Sequence, residues 1–153
     1  MEDTFDKYVN KMRDEYLPKL KQMMPTKLAD LKGAELPKAG IYVLYGDETS
    51  LYTGRTGRMK ARLKEHGAQS SSHFSASFAF ILAKEKALLN NVDCKRSRKQ
   101  LQDCPDFAFN EAKGRVSNMR FKCIEINDSI EQTLFEVYAA IELETPHNSF
   151  KPH

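Results

Sequence analysis

The stretch Gly40-Ile41-Tyr42-Val43-Leu44-Tyr45, followed by Gly46-Asp47-Glu48-Thr49-Ser50 and Leu51-Tyr52-Thr53-Gly54, decides how this chain is read. Two apolar-aromatic runs flank a five-residue polar loop, the pattern of a β-hairpin. Alternation places Ile41, Val43 and Tyr45 on one face of the first strand and Tyr42 and Leu44 on the other, so one face can be core while Tyr42 looks elsewhere. The second strand is read as short, about residues 50–53, with Gly54 permitting a sharp exit into a helix over 57–66. In that helix Met59 and Leu63 sit four apart and anchor it, while Arg58, Arg62 and His66 form a second column roughly a quarter turn away. Two phenols, several guanidiniums and an imidazole are thereby gathered in one neighbourhood. Such a set suits an anionic substrate.

Upstream, Phe5, Tyr8, Val9, Met12 and Tyr16 recur at helical spacing, and Pro18 is expected to end or kink that helix. Thr26 reads as the cap of a short helix through Leu31, stopped by Gly33. These helices are expected to cover one face of the sheet, with a partner-binding or dimerising role as the alternative. Downstream, the serine-rich run 69–75 reads as a mobile loop with His73 at its surface, and Phe78, Ile81, Leu82, Leu88 and Leu89 repeat as a helix ending at Asn90-Asn91. The segment up to Gly114 reads only as a basic surface stretch with one short strand or helix. Residues 119–126 form the third strand, with Phe121 and Cys123 opposite Arg120, Lys122, Ile124 and Ile126. Asp128 and Ser129 stand at capping-box spacing from Glu131 and Gln132 and start a last helix, whose apolar stripe is Ile130, Leu134, Val137, Tyr138 and Ile141. Thr145-Pro146 closes it.

At 153 residues the chain has room for one domain with a real core. Hydrophobic residues at 41% and charged residues at 29% argue against extensive disorder. No run reaches the length of a membrane span, and the acidic start, without an apolar h-region, predicts no secretory signal in this sequence. Cys94, Cys104 and Cys123 are an odd number lacking paired zinc-site spacing, so a reduced, cytoplasmic setting is expected. His147 and His153 make no metal pattern. The net charge of +3 is modest, but its distribution is not even. Arg55, Arg58, Lys60, Arg62 and Lys64 form one basic cluster and Lys95, Arg96, Arg98 and Lys99 another, both candidate DNA contacts.

The motifs Gly40-Ile41-Tyr42 and Tyr52-Thr53-Gly54 resemble those of the GIY-YIG nuclease domain, with Thr53 in place of the usual isoleucine. The resemblance covers 40–66 and, less closely, 129–148. It implies an α+β fold with a small three-stranded, mostly antiparallel sheet flanked by helices. Residues 1–38 would be a helical extension and 39–150 the nuclease module, with a long insertion at about 67–117. By the same resemblance Tyr42 and Tyr52 are the motif tyrosines, Arg62 the essential arginine, His66 a supporting residue and Arg55 a basic residue in a place often held by lysine. Arg58 stands where a helix-capping asparagine or aspartate is common, which leaves the cap to Thr56.

Phosphodiester hydrolysis needs an activated water, counter-charge on the phosphorane oxygens and help for the leaving oxygen; one divalent ion supplies two of these and needs only one or two carboxylates. Glu136 lies off the predicted apolar stripe beside Ala139 and Ala140, which leave room for a metal or phosphate. Glu131 and Glu142 share its helix. The resemblance chooses Glu136, from its spacing to Asn148, and implies one Mg²⁺ or Mn²⁺ ion. Tyr42 as base requires nearby positive charge, because phenols titrate near ~10; His66 titrates near neutrality and is the other candidate base, relay or orienting group. The expected activity is endonucleolytic cleavage of double-stranded or branched DNA, with a dimer or two encounters needed for a double-strand break. The competing expectation is a silent nucleic-acid-binding or protein-interaction module on the same fold.

Overall fold

A computed structural model describes residues 3–150; Met1 and Glu2 of the acidic start, and His153, lie outside them. The fold is α+β and is built on an antiparallel sheet, which has four strands among the described residues in the order β1-β4-β2-β3. They are β1 (Thr26–Lys27), β2 (Gly40–Gly46), β3 (Thr49–Thr56) and β4 (Arg120–Glu125). The expected three strands are thus corrected to four. Thr26, read from sequence as a helix cap, instead pairs with Phe121. A two-residue strand is too short to show alternation, and the residues after it, Leu28–Gly33, form a 3₁₀ helix.

The β2-β3 hairpin turns more tightly than its composition suggests. Gly46 pairs with Thr49, leaving Asp47 and Glu48 as a two-residue turn, both at positive φ (51° and 68°). That is the backbone a right-twisted hairpin prefers. β3 then runs on through Thr56, so Gly54 lies inside the strand opposite Tyr42 and makes no exit there. A Cβ on Gly54 would overlap the Tyr42 hydroxyl and Cζ; the missing side chain is what lets the Tyr42 ring lie across β3.

Helices cover both faces. α1 (Thr4–Lys11) continues through a π-helical turn, Met12–Tyr16, into α2 (Leu17–Gln22). The Leu17 N–H reaches back to the Met12 carbonyl, and the widened turn lets the helix pass Pro18, which has no N–H to donate. Met12, Tyr16, Leu17 and Leu20 pack with Ile41, Val43 and Ile124 and with Phe135 and Ala139 of α7 (Ser129–Glu142). The expectation that the N-terminal helices cover one sheet face is met. On the other face Tyr42, Leu44, Phe121 and Cys123 pack against α3 (Met59–Gly67), α4 (Ser77–Leu89) and α6 (Phe109–Ser117). Both faces are therefore core, and Tyr42 is only 1% exposed, not turned outward.

Two further expectations are corrected. The segment after α4 holds α5 (Arg98–Gln102), a 3₁₀ turn at Pro105–Phe107 and α6, more structure than one short element. α7 starts as expected, with the Asp128 carboxylate accepting from the Glu131 N–H at 2.9 Å, but its buried face is Gln132, Phe135, Ala139 and Ala140. Ile130 (54% exposed) and Ile141 (66%) of the expected stripe face outward. Ala139 and Ala140 are core contacts, not space beside Glu136. No described helix is long and apolar enough to cross a membrane.

Candidate active site

Tyr42, on the central strand, is held by its neighbours on all sides. Its hydroxyl shares a hydrogen with His66 Nε2 at 2.7 Å, and the rings lie 5.3 Å apart. Tyr52, on the edge strand β3, closes the group at 6.5 Å from Tyr42 and 5.8 Å from His66, and stacks on Phe78 of α4 at 4.9 Å. His66 reaches this group because α3 is anchored through buried Met59 and Leu63, which turns the Arg62–His66 column inward. Thr56 assists at the start of α3, its hydroxyl accepting from the Arg58 N–H at 2.9 Å.

Burial governs the electrostatics. It pushes the Tyr42 phenol upward, with the Tyr52 phenol adding to the rise and the Arg62 guanidinium opposing it. Tyr52 is likewise raised by burial, while a hydrogen bond with Ser77 and the charge of Arg62 act the other way. His66, wholly buried and facing Arg62, is pushed down to about 3. Its imidazole is neutral at physiological pH, and its buried Nδ1 has no hydrogen-bond partner. Positive charge near Tyr42 is thus present as expected but is outweighed by desolvation, so the resting pair is phenol and neutral imidazole.

Arg62 is fixed by the loop before α4. Nη1 donates to the Ser75 carbonyl at 2.6 Å and Nη2 to the Ser77 hydroxyl at 3.1 Å, with Glu65 at 3.4 Å. Ser77 bonds both Arg62 and Tyr52, and nothing in the serine-rich sequence signals that role. The loop itself is tied down. Buried Lys113 donates to the carbonyls of Gln69 and Ser71, and His73, expected at the surface, is buried against the Gln102 amide.

Glu136 enters from α7. The Thr53 hydroxyl donates to its carbonyl at 3.4 Å, which is where the residue replacing the motif isoleucine makes its contact. Burial raises the Glu136 carboxyl, opposed by the Arg55 charge and the Arg55 backbone N–H, and its negative charge is felt at both tyrosines. Of the three glutamates on the helix, Glu131 is held by Lys11 and Tyr16 and Glu142 is exposed. Glu136 alone among them approaches the tyrosine cluster.

Asn148 is bound to the backbone of Thr53, the residue whose hydroxyl contacts Glu136. Its amide accepts from the Thr53 N–H at 2.8 Å, donates to the Thr53 carbonyl at 2.9 Å, and accepts from the Thr145 hydroxyl. It completes the backbone bonding of edge strand β3, as a neighbouring strand would. These bonds give Asn148 a positioning role on β3. Arg58 is paired to Glu65, Lys60 donates to the Lys32 carbonyl, and Arg96 to the Asp93 carbonyl; Lys95, Arg98 and Lys99 are exposed with them.

Among the described residues no group of three or more His, Cys, Asp or Glu is placed to hold a metal ion. Glu136 is a partly buried oxygen donor beside the phenols, its ionised form disfavoured by burial and favoured by Arg55. No protein-family model, no curated protein and no solved structure matches the chain.

Proposed function

We propose that the chain is a metal-dependent endonuclease of the GIY-YIG type that hydrolyses DNA phosphodiester bonds. The observation that carries this reading is convergence: Tyr42, Tyr52, Arg62, His66 and Glu136 come from two strands and two helices and influence one another in one cluster.

Each residue has a distinct task in this reading. Arg62, pre-positioned by Ser75 and Ser77, presents a delocalised charge to the phosphorane oxygens without reorganising. Tyr42 would serve as base once the charges of Arg62 and a bound ion offset the burial that otherwise keeps its phenol protonated, its oxygen hydrogen-bonded to His66. His66 is a poor proton store at a value of about 3, with no carboxylate on its buried Nδ1, so it orients Tyr42. Glu136 would hold a Mg²⁺ or Mn²⁺ ion, which would supply Lewis-acid polarisation of the phosphate and positive charge beside the phenols. Asn148 keeps β3, and with it Tyr52 and the Arg55 N–H, in register. Arg55, Arg58 and Lys60, with the Lys95–Lys99 cluster, supply phosphate contacts. The three free cysteines suit a reducing, cytoplasmic setting.

The test is nicking of supercoiled plasmid with Mg²⁺ or Mn²⁺. The wild-type chain is expected to nick, and Arg62→Ala to be slower by on the order of 10²-fold or more. Plasmid, single-stranded and branched DNA all left intact under both metals would refute the proposal. A second reading, a nucleic-acid-binding module without turnover, is favoured by one observation: Tyr42 and His66 are closed off from solvent. It predicts DNA binding with no cleavage under any metal.

A further inference from the structure

Phe74 is 75% exposed, yet the backbone on either side of it is tied by side chains. The carbonyl before it, on His73, accepts from Arg98 Nη2 at 2.9 Å, and the carbonyl after it, on Ser75, accepts from Arg62 Nη1 at 2.6 Å. The Phe74 N–H donates to the Ser72 hydroxyl at 3.3 Å. Its ring leans on the buried His73 imidazole at 4.1 Å, and His73 is fixed by Gln102. Arg98 is in turn seated over the Phe80 ring at 4.2 Å. The two acceptor carbonyls are two residues apart, no more than about 7 Å of chain, so Phe74 stands between the Arg62 site and the Lys95–Lys99 cluster.

A single exposed apolar side chain is ordinary. One whose flanking carbonyls are both held by guanidiniums is different, because the backbone part of its ordering cost is already met before anything binds. The surroundings also select the occupant. An apolar or basic partner leaves the cationic rim unmatched, whereas a nucleic-acid strand supplies phosphates for the rim and a flat π-face for the ring. We propose that Phe74 is a base-stacking residue that receives an unpaired nucleobase beside the reaction site, giving the protein a preference for single-stranded or locally unpaired DNA over intact duplex. This rests on the nuclease reading for its substrate class, but it is tested by binding alone.

The experiment uses the full chain without divalent metal and two labelled probes: a single-stranded oligonucleotide carrying 2-aminopurine and the matching perfect duplex. Wild type is expected to bind the single strand more tightly and to quench its 2-aminopurine. Phe74→Ala is expected to weaken single-strand binding on the order of ten-fold, with duplex binding unchanged, and Phe74→Trp to restore it. Equal loss on both probes, or no loss on either, overturns the proposal. So does a change in sedimentation of Phe74→Ala without change in DNA binding, which would assign the ring to contacts between copies of the chain. Stacking that depends on Phe74 without any cleavage sinks the nuclease reading alone; nicking that is indifferent to Phe74 sinks only the stacking.

Discussion

At the scale of single residues, the site is shaped by desolvation more than by charge. Tyr42 and His66 are buried together, and burial acts in opposite senses on them, raising the phenol and depressing the imidazole. The consequence for His66 is a pH dependence of stability with a definite sign. Above 6.5, its ordinary value, neither folded nor unfolded chain protonates it; between 6.5 and about 3 the unfolded chain takes up a proton that the folded one refuses. Stability is therefore lost as pH falls through this window, at about 1.4 kcal/mol per unit. Urea titrations of wild type and His66→Gln should diverge, the wild type losing about 2 kcal/mol more between pH 6.5 and 5. Parallel curves would mean the imidazole is hydrated in the folded state. Strand alternation and helix periodicity gather Tyr42, Tyr52, Arg62 and His66 in one neighbourhood, and the resemblance of the two tyrosine motifs is what singles them out. That Tyr42 is sealed in cannot be read this way, since it depends on α4 and α6 closing the second face of the sheet.

At the scale of elements, the edge strand β3 is the part most in need of support. It carries Tyr52, Gly54 and the Arg55 N–H, and its outer backbone is paired by the Asn148 amide and by the His147 N–H to the Leu51 carbonyl at 3.3 Å. Asn148→Ala leaves a buried strand edge without these partners. We expect it to cost about 1–3 kcal/mol in thermal or urea unfolding, with cleavage reduced through misplacement of Tyr52 and Glu136. A variant of wild-type stability with lost cleavage would instead place Asn148 among the reacting groups. The strands β2 and β4 are legible in the sequence because each is a short run of apolar and β-branched residues bounded by turn residues, Gly46-Asp47 after one and Asn127-Asp128 after the other. β1 is not, being two residues long, and α6 is hidden by Gly114 and a polar composition, although Phe109, Ala112 and Val116 do fall on one buried face. The buried face of α7 departs from the apolar stripe for a physical reason: the helix packs small Ala139 and Ala140 close to its neighbours and leaves the larger Ile130 and Ile141 outside.

At the scale of the molecule, the N-terminal helices and the long insertion have the same architectural role on opposite faces. The α1–α2 rod clamps α7 through Lys11 and Tyr16 on Glu131, and so holds the helix that carries Glu136. The insertion supplies α4, whose first turn and preceding loop hold Arg62. The sequence resemblance omitted both segments, and the geometry makes each of them part of how the cluster is assembled. What separates an enzyme from a binding module on this fold is whether Glu136 serves turnover or only structure. Its carboxylate is raised by burial, so replacing it with the neutral isostere should leave folding and DNA affinity intact. The most direct measurement is therefore single-turnover cleavage and equilibrium binding of one labelled branched DNA by wild type and Glu136→Gln, in Mg²⁺. For a metal-holding Glu136 we expect equal binding and a cleavage rate lower by on the order of 10²-fold in the variant; equal cleavage rates, or binding with no cleavage by the wild type, would overturn that role.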